Sequence, residues 1–174
     1  MEHRTDWKAL VVFAASLAAG TGAVAAADTH GDAALVARGK YILTISGCND
    51  CHTPGGMEHG PAVPEQDWLT GLPIGYQGPW GTTYPANLRL AINALTEAQW
   101  LERARQPRLP PMPWFNLREM SDQDLKAIYA YVRSLGPAGV TMPAYVAPGG
   151  KVTTPYFVFV PQGGEARAQP VAQR

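Results

Sequence analysis

Two cysteines are all that this 174-residue chain carries, and both lie in one short stretch, Cys48-Asn49-Asp50-Cys51-His52. With no other thiol in the chain, a framework of structural disulfides is excluded. Charge of one sign is equally lacking, since 14 basic and 14 acidic side chains leave the chain formally neutral. That removes the basic surplus expected of nucleic-acid binding. No paired carboxylates, nucleophile–base arrangement or phosphate loop is present, so the sequence does not suggest catalysis. Long apolar runs are confined to the beginning. Arg4 and Lys8 precede the apolar Ala9 to Gly20, and Ala25-Ala26-Ala27 offers small residues before Asp28. This layout predicts a secretory signal, residues 1–27, removed after Ala27, with export to the periplasm. The rival is a retained anchor. Ala9 to Ala27 approaches the about 20 apolar residues that a bilayer requires, yet it is built from Ala and Gly. Membrane contact follows only if the segment stays.

What is present is the pair of thiols itself. Cysteines three positions apart can each add to one vinyl group of a single porphyrin, and the adjacent His52 can reach the iron from the same side. The spacing therefore predicts one covalent haem c on Cys48 and Cys51, with His52 as an iron ligand. Two other readings of the spacing exist. A thioredoxin-like dithiol would sit in a βαβ pattern, and none surrounds it. A zinc site needs two further ligands, and beyond residue 27 only His30, His52 and His59 are on offer.

The remainder reads as short helices between long loops. Asp32 to about Ile45 forms a helix with Leu35, Gly39, Ile42 and Leu43 on one side, running into Gly47. From Thr53 to Leu88 glycine and proline dominate. A loop of that length suits a compact domain when a large flat cofactor replaces secondary structure as the thing to pack around. Thr96 to Arg105 is a second helix, capped by the Thr96/Gln99 pair and limited by Pro107. Ser121 to Leu135 is a third, with Leu125, Ile128, Tyr129, Val132 and Leu135 at helical spacing and Gly136-Pro137 as its stop. Gly39 is placed to let the first and last helices approach closely. These elements predict one body of short helices and long Gly/Pro-rich loops over residues 28–136. Residues 137–174 form a Pro/Gly-rich extension, whose Tyr156 to Val160 is expected as an edge strand or strap between Pro155 and Pro161. Residues after Gly163 are expected to fray.

The opposite face of the iron needs a second ligand if the group only shuttles electrons. Met57 and His59 are too near, because five to seven residues span at most about 17–25 Å. His30 would have to fold back over the first helix. Met112 lies 60 residues beyond His52 in Arg108-Leu109-Pro110-Pro111-Met112-Pro113-Trp114, where the flanking prolines stiffen the loop that presents its thioether. Met120 is the runner-up, more simply a hydrophobic staple ahead of the third helix. Met142 lies in the tail. Tyr84, Asn87 and Arg89 follow the Gly/Pro loop and are candidate contacts for the haem propionates, Arg89 through a charge-assisted pair. Trp68, Trp80, Trp100 and Trp114 are expected in the core or the haem pocket.

The helix and haem motif, the Pro110 to Trp114 loop and the Met120 to Leu135 ending resemble class I cytochrome c. Gly78-Pro79-Trp80-Gly81-Thr82-Thr83-Tyr84-Pro85-Ala86-Asn87-Leu88 is similar to haem domains in the cytochrome subunits of bacterial membrane-bound alcohol and aldehyde dehydrogenases. The resemblance covers about residues 32–135 and implies an all-α fold around one haem, with His52 and Met112 axial. Those subunits carry several haem domains and a membrane anchor, whereas this chain has one haem motif, and residues 137–174 are not covered. The expected role is a periplasmic cytochrome carrying one electron at a time from a dehydrogenase donor to an oxidase or another cytochrome. The alternatives are a sensor or peroxidase-like protein with a labile sixth ligand, and a fixed subunit of a dehydrogenase complex.

Overall fold

The computed structural model describes residues 22–160, with side chains described from Asp32 onward. Most of the segment expected as a signal, and the tail after Gly163, lie outside these residues. The first helix, α1 (Gly22–Ile45), begins ten residues ahead of its expected start. Its last turns cross α7 (Asp122–Leu135) to make the centre of the core. The crossing is close: a Cβ built on Gly39 would lie 1.9 Å from the Ala127 carbonyl oxygen. Leu43, Leu125 and Val132 are fully buried there, with Ile42, Ile128 and Tyr131 nearly so. Each large apolar side chain removed from water in this way stabilises the fold by about 1.5–3 kcal/mol. α4 (Leu88–Asn93) adds Ile92, and α5 (Glu97–Ala104) adds Trp100, whose indole nitrogen donates to the Leu125 carbonyl at 2.8 Å.

The caps read from the sequence form as expected. Thr96 Oγ1 accepts from the Gln99 amide while Gln99 Oε1 accepts from the Thr96 amide, and Ser121 Oγ accepts from the Asp124 amide. At the other end of α7 the buried guanidinium of Arg89 donates to the Leu135 and Gly136 carbonyls and, at 3.1 Å, to that of Gln66. It thereby satisfies helix-end acceptors and sits at the negative pole of the dipole. Glu65 is a second tie. Its carboxylate accepts from Lys40 of α1 and, at 2.7 Å, from the Tyr131 hydroxyl of α7. α6 (Trp114–Glu119) is held by Arg105, which donates to the carbonyls of Arg118 and Met120 and to Asp122 Oδ1.

The Gly/Pro stretch expected as loop holds more than loop. α2 (Cys48–His52) precedes it, and within it come α3 (Gly56–His59), two 3-10 turns at Gly60–Ala62 and Glu65–Asp67, and a hairpin. Strands β1 (Gly75–Gly78) and β2 (Gly81–Thr83) pair antiparallel, Tyr76 opposite Thr83 and Gly78 opposite Gly81. β3 (Tyr156–Val158), from the extension, pairs parallel on the other edge of β1 with Phe157 beside Tyr76. This small sheet adds to the expected helical body. β3 is the edge strand expected within Tyr156 to Val160, whereas β1 and β2 are too short for alternation to stand out in the sequence.

Residues 137–160 lie along the body. The Ala138 and Val140 carbonyls accept from Asn87 Nδ2, Val146 exchanges both backbone hydrogen bonds with Thr82, and the Tyr145 hydroxyl donates to the Trp80 carbonyl. Among the described residues no helix is long and apolar enough to cross a membrane.

Candidate functional site

The two cysteines and the histidine occupy a single short helix, α2, entered from Gly47 in the left-handed region at φ 68°. A side chain there would be strained. Thr53 locks the far end. Its hydroxyl donates to Asn49 Oδ1 and accepts from the Leu69 amide, while the His52 carbonyl accepts from the Gly71 amide at 2.7 Å. The imidazole of His52 is buried, with Nδ1 2.7 Å from the Ala86 carbonyl oxygen. A carbonyl can only accept, so Nδ1 carries the proton and Nε2 keeps its lone pair. That is the tautomer and orientation an iron ligand requires. Burial lowers the pKa of His52, which favours the neutral ring.

Burial, reinforced by Asp50, pushes the Cys48 thiol up to about 11. A redox-active dithiol at a helix start shows the opposite shift, so the thioredoxin-like reading loses its chemistry. Among the described residues no group of three or more His, Cys, Asp or Glu side chains gathers as a metal cage. The zinc reading lacks its further ligands there.

Met112 is half-buried in a loop tied to the hairpin, where Thr83 Oγ1 donates to the Pro110 carbonyl at 2.8 Å. His52 and the loop carrying Met112 are therefore both tied to the segment Thr83 to Ala86, one through the Ala86 carbonyl and the other through the Thr83 hydroxyl. Met120 packs against the core ahead of Ser121, its carbonyl taken by Arg105. Met142 packs on Gly71, Met57 is exposed, and His59 lies over Gly55.

The three residues expected at the propionates have protein partners. Asn87 spends Oδ1 on the Leu90 amide, as the N-cap of α4, and both amide protons on Ala138 and Val140, so it has no donor left. Arg89 is turned onto backbone carbonyls at the end of α7. The Tyr84 hydroxyl bonds Thr154 Oγ1 at 2.8 Å. Backbone groups took the Asn87 and Arg89 side chains and a threonine hydroxyl took Tyr84, an outcome that local sequence does not reveal. Sequence reasoning missed Thr83, the Ala86 carbonyl and Tyr76. The first two act through contacts with no local signal. Tyr76 is buried, and burial, reinforced by Cys51, pushes its hydroxyl up to about 12.

The groups at the site fit a c-type haem. Two thiols and a neutral imidazole with a free Nε2 share α2. Trp80 Nε1 is, among the described residues, the one buried side-chain polar atom without a partner. Such a donor costs about 1–3 kcal/mol unless it finds an acceptor, and a porphyrin carboxylate is a chemically matched one.

The family profile of cytochrome c matches residues 36–136. This chain belongs to the cytochrome c family. Membership implies covalent haem c and a role in electron transfer. The chain is 32% identical over 127 residues to the cytochrome c subunit of a quinone alcohol dehydrogenase of Gluconacetobacter polyoxogenes, covering 67% of this chain and 25% of the relative. The corresponding subunit from Gluconobacter oxydans is 29% identical over 141 residues, 75% of this chain and 27% of that one. A gluconate 2-dehydrogenase cytochrome c subunit of Pantoea cypripedii is 30% identical over 118 residues, 62% and 24% respectively. The cytochrome thus spans about a quarter of the length of these relatives. No solved structure matches it.

Proposed function

We propose that the chain is an exported monohaem cytochrome c that carries one electron at a time between a periplasmic dehydrogenase and a downstream acceptor. The observation that supports it most is the shared strip from Thr83 to Ala86. Its one end orients His52 and its other end holds the Pro110 to Pro113 loop that carries Met112. Cys48 and Cys51 would hold the group covalently, and His52 Nε2 and the Met112 thioether would ligate its iron. Bound there, haem c would supply a one-electron ferric/ferrous couple, with a potential raised by a thioether ligand. The chain's own residues bind it, fix the imidazole tautomer and keep water from it. Potentiometry on protein from the periplasmic fraction of a host that matures c-type cytochromes tests this. The expected result is a reversible couple with one electron per chain. Pigment confined to the cytoplasm, or more than one haem per chain, contradicts it.

A second reading is favoured by the relatives, which are named as subunits of dehydrogenases. In it the chain stays bound to its dehydrogenase. Co-purification of a dehydrogenase through gel filtration at moderate salt separates the two, since a free shuttle elutes alone.

A further inference from the structure

We propose that the segment after Gly136 completes the haem pocket, with Phe157 and Phe159 of the β3 region forming with Tyr76 an aromatic wall of that pocket. The inference rests on the haem reading above and goes beyond it, because the family match ends at residue 136.

Register sets the geometry. Phe157 stands beside Tyr76 on adjacent parallel strands, and Phe159, two residues on, returns to the same face. The rings confirm it. Tyr76 lies 5.6 Å from Phe157 and 6.0 Å from Phe159, and Phe159 lies 6.2 Å from Trp80, centroid to centroid. That face is turned toward the proposed ligand loop, because Thr83, opposite Tyr76 in the hairpin, donates to the Pro110 carbonyl at 2.8 Å. The wall therefore borders the loop that carries Met112, and beyond Phe159 it carries the unpaired indole N–H of Trp80.

Exposure says what is missing from the wall. Phe157 is 52% and Phe159 51% exposed although both stack on Tyr76, and no charged residue occurs from Val152 to Val160. Large rings left open beside the ligand loop are covered when a flat apolar group lies against them. Backbone bonds, not these rings, place the strand. The Gly75 amide donates to the Pro155 carbonyl at 2.9 Å and the Phe159 amide to the Gln77 carbonyl at 2.7 Å. The rings are thus available to the cofactor, and replacing them leaves the strand's backbone anchors in place. Val158 points to the other face, into a groove with Gln77, Thr82 and Pro148.

The test uses the full-length holoprotein. In proton NMR of the ferrous state with selectively labelled phenylalanine, Phe157 and Phe159, assigned by single Phe→Leu variants, are expected to show haem ring-current shifts. The Phe157→Ser/Phe159→Ser double variant is expected to keep its covalent haem by mass. Its midpoint potential should fall as water reaches the haem edge, while Val158→Ser keeps the parent potential. Unshifted Phe157 and Phe159 resonances in a protein whose mass includes one haem overturn the wall and leave the haem reading standing. So does an unchanged potential in the double variant. A parent protein without haem in its mass overturns both.

Discussion

The helical half and the hairpin half of this molecule are packed to different standards. In the core built on α1, α5 and α7, Leu43, Leu125 and Val132 are sealed completely, and the buried indoles of Trp68 and Trp100 each have an acceptor. Around the β1–β2 hairpin, Phe157 and Phe159 are half open and the Trp80 N–H has no partner. Protein alone closes the first half. In the proposed reading the second half is finished by the haem that family membership implies. The contrast teaches where to look for a prosthetic group: at the place where aromatic surface and buried donors are left over.

Substitutions in the two halves should fail in different ways. The largest effect belongs to Gly39→Ala. Its methyl would meet the Ala127 carbonyl at 1.9 Å, and overpacking against backbone costs about 3 kcal/mol. Denaturant midpoints should fall accordingly, while the folded fraction keeps the parent absorption spectrum. A change confined to the spectrum would blur the distinction between the halves.

Asn87→Ala comes next. It removes the cap of α4 and both bonds to Ala138 and Val140, a loss of about 2 kcal/mol. Limited proteolysis should then cut within residues 137–146 faster than in the parent. Equal cutting rates would mean that the extension is anchored elsewhere.

Thr83→Val acts on the site with little effect on the helices. Losing the bond to the Pro110 carbonyl costs about 1 kcal/mol and loosens the loop that carries Met112. Added imidazole should displace the thioether at lower concentration than in the parent protein. An unaltered titration would sever Thr83 from the ligand loop.

The smallest effect is the pH dependence of the Glu65 tie. Hydrogen bonds from Lys40 first, then Tyr131, hold the Glu65 carboxyl below its ordinary value. A depressed carboxylate stabilises the fold above its unfolded pKa, and that stability is lost as pH falls through the folded value. The side chain is 41% exposed, so the contribution stays below about 1 kcal/mol. Parent and Glu65→Gln should differ in stability at neutral pH and converge in acid. A gap that widens in acid would reverse the assignment.

Much of this was legible in the residues. The three long helices, the Thr96 and Ser121 caps and the close approach at Gly39 follow from periodicity and capping chemistry, which are local. Cys48, Cys51 and His52 announce themselves because attachment chemistry demands their spacing. Of the sheet, β3 was legible as the expected edge strand within Tyr156 to Val160. β1 and β2 were not, because three or four residues are too few for alternation to stand out, and the pairing of β3 with β1 joins residues far apart in the chain. Nor were the partners of Asn87 and Arg89, whose side chains went to backbone ends brought near only by folding. The carbonyl that orients His52 leaves no signal because any residue at position 86 supplies one.

The most direct measurement is the ferric near-infrared spectrum of purified protein whose mass is the polypeptide plus one haem, taken with and without Met112→Ala. A low-spin thioether–iron charge-transfer band that disappears in the variant is the predicted result. A high-spin parent spectrum, or a band that survives the substitution, contradicts the ligation of the iron by His52 and Met112.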